Sequence, residues 1–150
     1  MHQETAVLTV ERTFTVQAPI ENVFDYLADF TNTNDWDPGT VRTTRLDNGP
    51  LQVGAKFHNV SKFRGRETEL DYELTVFDPR THLTFQGTNK TVTSTDDLSF
   101  RPDGSGTQIH YAAHFDFHGV AKLAQPFLSS TFETLADDTV IKMTGVLERL

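Results

Sequence analysis

Hydrophobic and polar positions alternate from Thr5 to Gln17, with Leu8, Val10, Phe14 and Val16 at even positions and Thr9, Glu11, Thr13 and Thr15 between them. A period of two is the pattern of a half-buried strand. Ala18-Pro19 ends it, and Pro19 suits the first position of a helix, where its missing N–H has no bond to make. Ile20, Val23, Phe24, Leu27 and Ala28 then fall at i, i+3, i+4, i+7 and i+8, one apolar stripe of a short helix. Phe30 to Trp36 reads as irregular or weakly helical, and Pro38-Gly39 as a turn.

From there the period of two returns repeatedly. Val41 to Leu46 precedes the turn Asp47-Asn48-Gly49-Pro50, and Ala55 to Phe63 precedes a hairpin turn around Gly65. Glu67 to Phe77 alternates most cleanly, with Leu70, Tyr72, Leu74 and Val76 on one face and Glu67, Glu69, Asp71 and Glu73 on the other. Asp78-Pro79 leads into His82 to Thr88, and Val92 to Phe100 is ended by Pro102-Asp103-Gly104-Ser105-Gly106. The last strand, Thr107 to His118, sets Ile109, Tyr111, Ala113, Phe115 and Phe117 on one side. Strands with one polar face belong to an antiparallel sheet covered on one side.

Beyond Gly119 the period becomes helical. Leu123, Phe127, Leu128, Phe132, Leu135, Ala136, Val140, Met143, Val146 and Leu147 form a stripe to the end of the chain. Pro126 either begins this helix or kinks a first turn at Val120 to Gln125, and from Pro126 to Arg149 it would span about 36 Å. The expected fold is α+β: a first strand, a short helix, about six further antiparallel strands, and a long amphipathic C-terminal helix. Wrapping a curved sheet of six to seven strands around that helix gives two layers and one core. No repeat or linker composition interrupts the series, so residues 1–150 are expected to form one domain.

Composition narrows the chemistry. Phe supplies twelve of the aromatic residues, against three Tyr and one Trp, and there is no Cys. That excludes disulfide scaffolds, thiolate zinc sites and thiol nucleophiles. A net charge of −8 argues against nucleic-acid binding, which draws on Lys and Arg, and against an anionic membrane surface. The start carries no basic segment followed by an apolar run, and no stretch approaches the ~18 apolar residues of a membrane span. A cytoplasmic protein without stable membrane insertion is the expectation.

The segment Val10-Glu11-Arg12-Thr13-Phe14-Thr15-Val16-Gln17-Ala18-Pro19-Ile20-Glu21-Asn22-Val23-Phe24-Asp25-Tyr26-Leu27-Ala28-Asp29, followed by Asn34-Asp35-Trp36-Asp37-Pro38, resembles the opening of the START/Bet v 1-like (SRPBCC) superfamily, in its polyketide cyclase/dehydrase branch. Phe132-Glu133-Thr134-Leu135-Ala136-Asp137-Asp138 resembles that branch's final helix. The resemblance implies a helix-grip fold with a hydrophobic cavity between sheet and long helix, and marks the fold better than the activity.

On that expectation Phe57, Tyr72, Leu74, Phe85, Phe100, Ile109, Tyr111 and Phe115 face Leu128, Phe132 and Leu135 across a cavity, with a filled core as the alternative. An empty apolar cavity of about 300 Å³ would cost roughly 7 kcal/mol, so a pocket has to be partly polar or usually occupied. Asn59, Ser61, Ser94 and Asp96 supply polar groups on the same face. Asp96 is the sharpest candidate: facing inward near Tyr72 or Tyr111, its carboxyl would be raised by burial and serve as acid, base or hydrogen-bond partner. A bulge at Asp96-Asp97 would instead send both side chains to solvent. That reading carries more weight, because one slip of register flips the face. Trp36 is placed near the cavity mouth by the resemblance, or closes one end of the core as a plug.

Other clusters weigh less. Asp35 and Asp37 lack the glycine and glutamate of a calcium loop. His110, His114 and His118 share the polar face of one strand, where neighbours stand about 13 Å apart, too far to share one zinc ion. No metal site and no cofactor are expected. Lys62, Arg64 and Arg66 around Gly65 make either a solvated hairpin, the favoured reading, or a basic lip attracting a ligand carboxylate or the phosphate of a carrier arm. Asn59-Val60-Ser61 and Asn89-Lys90-Thr91 match the glycosylation pattern, which has no meaning without secretion.

The reading that follows is a carrier or sequestering protein for a hydrophobic small molecule (a lipid, a polyketide-like or an isoprenoid compound). Its ligand-binding residues are taken as Trp36, Phe57, Asn59, Tyr72, Leu74, Phe85, Asp96, Tyr111, Phe115, Leu128 and Phe132. The alternative is an enzyme resembling polyketide cyclases and dehydrases, with Asp96 and Tyr72 or Tyr111 moving protons; no catalytic constellation is legible. A third is an interaction module using its outer surface. Homodimerisation is left open.

Overall fold

The computed structural model of the chain describes residues 7–150, so Thr5 and Ala6 of the expected first strand lie outside the described residues. Seven strands form one antiparallel sheet: β1 (Val7–Val16), β2 (Thr40–Arg45), β3 (Lys56–Phe63), β4 (Arg66–Asp78), β5 (His82–Thr88), β6 (Val92–Asp103) and β7 (Gly106–Phe117). Their spatial order is β1-β7-β6-β5-β4-β3-β2. Five of the six pairings join strands consecutive in sequence; the sixth sets β1 beside β7, so that β1 and β2, though consecutive, form opposite edges of the sheet. The helices are α1 (Ile20–Ala28), the single turn α2 (Thr33–Trp36) and the long α3 (Ser129–Leu147). This is the helix-grip arrangement, with α3 against the concave face. No helix among the described residues is long and apolar enough to cross a membrane.

Local chemistry explains the boundaries. Pro19 caps α1 from outside it: the Pro19 carbonyl accepts from the amides of Asn22 and Val23, both at 3.1 Å. The segment after α1, expected to be irregular or weakly helical, forms a 3₁₀ turn over Phe30–Asn32 and then α2. Asn34 ties α2 to β2, its amide donating to the Thr43 carbonyl and its oxygen accepting from the Thr43 amide, each at 3.1 Å. The β3–β4 hairpin turns on Arg64 and Gly65, both with positive φ, as a two-residue turn that follows the strands' twist requires.

Two elements depart from the sequence pattern. A bulge at Thr75 shifts the β4–β5 register between Leu74 and Val76. Phe77 therefore packs against the core in the place where strict alternation puts Val76. The C-terminal helix starts at Ser129 rather than Pro126 and runs about 28 Å. Gly119–Phe127 is 3₁₀, so a 3.6-residue stripe has no meaning there. Leu123 and Phe127, expected in the buried stripe, are 77% and 76% exposed, and Val120 is 85% exposed.

On the even face of β1, Arg12 faces α3 and reaches Glu133 and Asp137, each at 2.9 Å. On the outer face of the sheet, His110 bonds Thr13 and Glu11, His114 bonds Thr9, and His118 bonds Thr93. Each histidine has its own partners.

Candidate functional site

The concave face divides into two ends. At one, α1 and the 3₁₀ turn close over the sheet. Phe30 enters the space between strands, its ring 4.4 Å from Phe85, 4.7 Å from Tyr72 and 5.8 Å from Phe57. Phe24 meets Phe77 and Phe100 edge-on at 5.4 and 5.7 Å. This end is solid. At the other end, beneath the first half of α3, a cavity of about 220 Å³ opens between α3 and the ends of β3, β4, β6 and β7.

Five of the expected ligand-binding residues line that cavity: Tyr72, Asp96, Tyr111, Phe115 and Phe132. Six do not. Phe57, Leu74 and Phe85 lie in the solid end, because Phe30 occupies the volume between them and the helical layer. Trp36 is 2% exposed and meets Tyr111 edge-on at 6.1 Å, as a plug behind the cavity wall rather than at its mouth. Asn59 is buried with its amide engaged by Thr43 at 2.8 Å and Thr40 at 3.2 Å. Leu128 is buried where the chain turns into α3 and does not reach the lining. Phe100 and Ile109, also expected to face the cavity, sit in the packed core instead.

β6 runs through Asp96-Asp97 without a bulge, Asp96 pairing with Phe85 on one side and Ala113 on the other. The favoured solvent reading for Asp96 is thereby corrected. Its side chain points inward, is 8% exposed, and accepts a hydrogen bond from the Tyr111 hydroxyl at 2.8 Å. Asp97 faces outward and bonds His82 and Thr84. Burial, and next the negative charge of Asp37, push the Asp96 carboxyl up to about 7, against the smaller opposing effect of the Tyr111 bond. The phenols of Tyr72 and Tyr111 are both raised, first by burial and then by the charge of Asp96.

The position of Tyr72 depends on a missing side chain. Gly87 lies opposite it on β5, and a Cβ there would stand 2.8 Å from three atoms of the Tyr72 ring. The ring therefore lies against the Gly87 backbone, tilted against Phe30 at 4.7 Å, and borders the cavity.

Asp37 is the acidic group that sequence reasoning set aside. It lines the cavity, held by the Thr40 hydroxyl at 2.7 Å and the Gly39 amide at 3.3 Å. Burial raises its carboxyl, and hydrogen bonds and Lys142 partly offset that. The run Asp37-Pro38-Gly39-Thr40 carries the signature of such a side-chain-to-backbone turn, and Pro38 holds the residue before it extended. Which way the loop faces depends on α2 docking onto β2. A hydrogen-bonded series supports it from behind: Thr33 to Thr43 at 2.6 Å, Asn59 to Thr43 and Thr40, and Ser61 to Asn59 at 2.6 Å.

At the mouth, Phe132 of α3 stacks on Phe115 at 4.3 Å and on Phe63 at 5.1 Å. Lys62 and Asn89 line the rim. Arg64 lies over the Phe63 ring and reaches the Thr131 hydroxyl at 3.3 Å, joining the β3–β4 hairpin to the start of α3. Asn89 is a turn-former here, accepting from the Thr91 and Val92 amides. Among the described residues, no three His, Asp or Glu side chains are grouped to hold a metal ion.

A family model described as polyketide cyclase/dehydrase and lipid transport matches residues 7–148. Among solved structures, the chain is similar to the ZhuI aromatase/cyclase from Streptomyces sp. R1128, at 20% identity and a TM-score of 0.80 over 96% of this chain and 95% of that one. A START superfamily protein from Mycobacterium smegmatis matches at 13% identity and a TM-score of 0.77, covering 94% and 97%. The di-domain aromatase/cyclase StfQ of the steffimycin biosynthetic pathway matches at 11% identity and a TM-score of 0.72, covering 95% of this chain and 51% of that one. At these identities the likeness is one of fold. No curated protein matches the chain by sequence.

Proposed function

The chain belongs to the polyketide cyclase/dehydrase and lipid transport family, and from that premise we propose that it binds a hydrophobic small molecule between the sheet and α3, as a carrier or sequestering protein. The observation that carries this reading is the uneven filling of one continuous apolar face. Left dry and empty, about 220 Å³ would cost on the order of 5 kcal/mol, a large share of the ~5–15 kcal/mol that holds a domain together. Apolar walls of Phe115, Phe117 and Phe132 with a few inward polar groups are the usual make-up of a small-molecule site.

Native mass spectrometry of gently purified protein, followed by organic extraction, tests the reading. A co-purifying apolar compound, or a panel of lipids and aromatics that raises the melting temperature, supports it. An unladen protein that no member of the panel stabilises defeats it.

The Asp96–Tyr111 pair favours a second reading, a cyclase or dehydrase. A carboxyl raised to about 7 is balanced between acid and base at neutral pH. Ionised, it takes a proton from a carbon flanked by carbonyls. Protonated, it delivers that proton to the ketone oxygen under attack as the ring closes, and the cavity supplies orientation. Asp96→Asn and Tyr111→Phe should each slow cyclisation of a poly-ketone surrogate by about 100-fold or more. Unchanged rates in both variants would remove the enzyme reading and leave the carrier reading intact.

A further inference from the structure

The charges around the cavity restrict what enters it. The ionisable groups that line it are Asp37 from the loop after α2, Lys62 from β3, Tyr72 from β4, Asp96 from β6 and Tyr111 from β7. α3 contributes Phe132, Leu135, Ala136 and Thr139, none of them ionisable. Lys62 is exposed at the rim, and Lys142 of α3 acts on Asp37 without lining the cavity. Inside the rim every ionisable group is therefore an acid: two carboxyls and two phenols.

Asp96 is left short of partners. Among the described residues the Tyr111 hydroxyl is the sole donor to its carboxyl. A buried carboxylate with a single neutral donor pays most of its desolvation without return. The missing partner is a donor, and a cationic donor both fills the open oxygen and offsets the charge. The walls beside it, Phe115 and Phe132 among them, are apolar, so nothing else inside the rim supplies a positive charge. No cluster of three metal-ligating side chains is found among the described residues, and the apolar walls suit a charge carried on an organic body.

We propose that the cavity selects by charge, taking an organic cation: a protonated amine on an aromatic or otherwise apolar body, with its nitrogen on the Asp96 carboxylate and its body against Phe115 and Phe132. Carboxylates of the same shape are rejected. This inference rests on the container reading above and names its ligand class. In the empty cavity a proton holds the place of the cation, because the Asp96 carboxyl is raised to about 7. The bound amine displaces that proton, so affinity rises as pH climbs through about 7 and levels off above it.

Three probes of one shape test the proposal by calorimetry: naphthylmethylamine, naphthylmethanol and naphthoate. At about pH 8 the amine should bind roughly 10-fold tighter than the alcohol, with naphthoate the weakest. Near pH 5.5 the amine's lead should shrink to within about 3-fold, and in Asp96→Asn it should vanish together with its pH dependence. Should that variant fail to fold, the wild type alone decides: near pH 7 the amine's binding heat should depend on the buffer's ionisation enthalpy, showing proton release of about one half per ligand. An alcohol that equals or beats the amine at pH 8, or amine binding without proton release, overturns charge selection and leaves the container standing. If none of the three binds, and the wider apolar panel also fails, the container reading falls and takes this inference with it.

Discussion

The two ends of the concave face are built from the same kinds of residue and differ in what reaches them from the helical layer. At the closed end Phe30 comes down between Phe57, Tyr72 and Phe85, and every ring finds a ring. At the open end Phe132 stays at the rim, stacked between Phe63 and Phe115, and the space below it is bordered by Asp96, Tyr111 and Tyr72. Tyr72 belongs to both ends. An apolar sheet face is thus neither core nor pocket in itself, and the outcome is decided by one side chain from the covering layer. Filling gives stability at the closed end, while the open end keeps a buried acid that costs stability and is available to a ligand.

The largest test of this contrast compares a deletion at each end. Phe85→Ala should lower the unfolding free energy in urea by about 3–5 kcal/mol, as expected where the surroundings are solid. Phe132→Ala should cost about 1 kcal/mol, because its neighbours already border open space. Equal costs would mean that the two ends are packed alike.

Gly87→Ala attacks the shared residue. With a Cβ 2.8 Å from the Tyr72 ring, the ring must move, and a loss of up to about 3 kcal/mol is expected. Tyr72→Leu in the same background should recover part of that loss. No recovery would show that the clash lies elsewhere.

Asp96→Asn should do the reverse of a usual core substitution. The Asp96 carboxyl is raised in the folded state to about 7 from 3.8, so the native protein holds this proton more tightly than the unfolded chain does. Its contribution to stability is therefore greatest below the unfolded value and falls as pH rises to about 7, beyond which it is flat. Asparagine keeps an oxygen for Tyr111 and has no charge to bury. The variant should be more stable than wild type by on the order of 2 kcal/mol at about pH 8, with the gain disappearing towards pH 5. Denaturation at both pH values measures it, and a loss of stability at pH 8 would contradict the placement of Asp96 as an unpaired buried acid.

The smallest effect is expected at the seam between β1 and α3. Arg12→Ala removes the pairs with Glu133 and Asp137, and because these groups are partly exposed the cost should stay below about 1 kcal/mol. Faster hydrogen exchange confined to the first turns of α3 is the expected signature.

How much of this was legible in the sequence varies by residue. Alternation placed Asp96, Tyr111 and Phe115 on one face, and the structure finds all three on the cavity wall. For Asp96 the pattern was sounder than the reservation about a bulge; the bulge came at Thr75, within the cleanest alternating run. Asp37 escaped because its neighbourhood is a turn, where periodicity says nothing about direction. Phe57, Leu74 and Phe85 share the inward face but not the cavity, because a strand pattern reports the face and not the position along it. Leu123 and Phe127 fit the helical stripe in sequence yet lie exposed, because a series of apolar residues does not tell 3₁₀ from α.

The sequence by itself determined the order of elements, the inward face of nearly every strand and the apolar, Phe-rich character of that face. These follow from local sterics and the two periods of the backbone. Only the tertiary structure decided which end of the face is filled, that Asp37 and Asp96 share one cavity, and that Tyr72 lies across Gly87. Each of these is a meeting of residues far apart in sequence, set by where α1, α2 and α3 land on the curved sheet, and no local preference encodes that position.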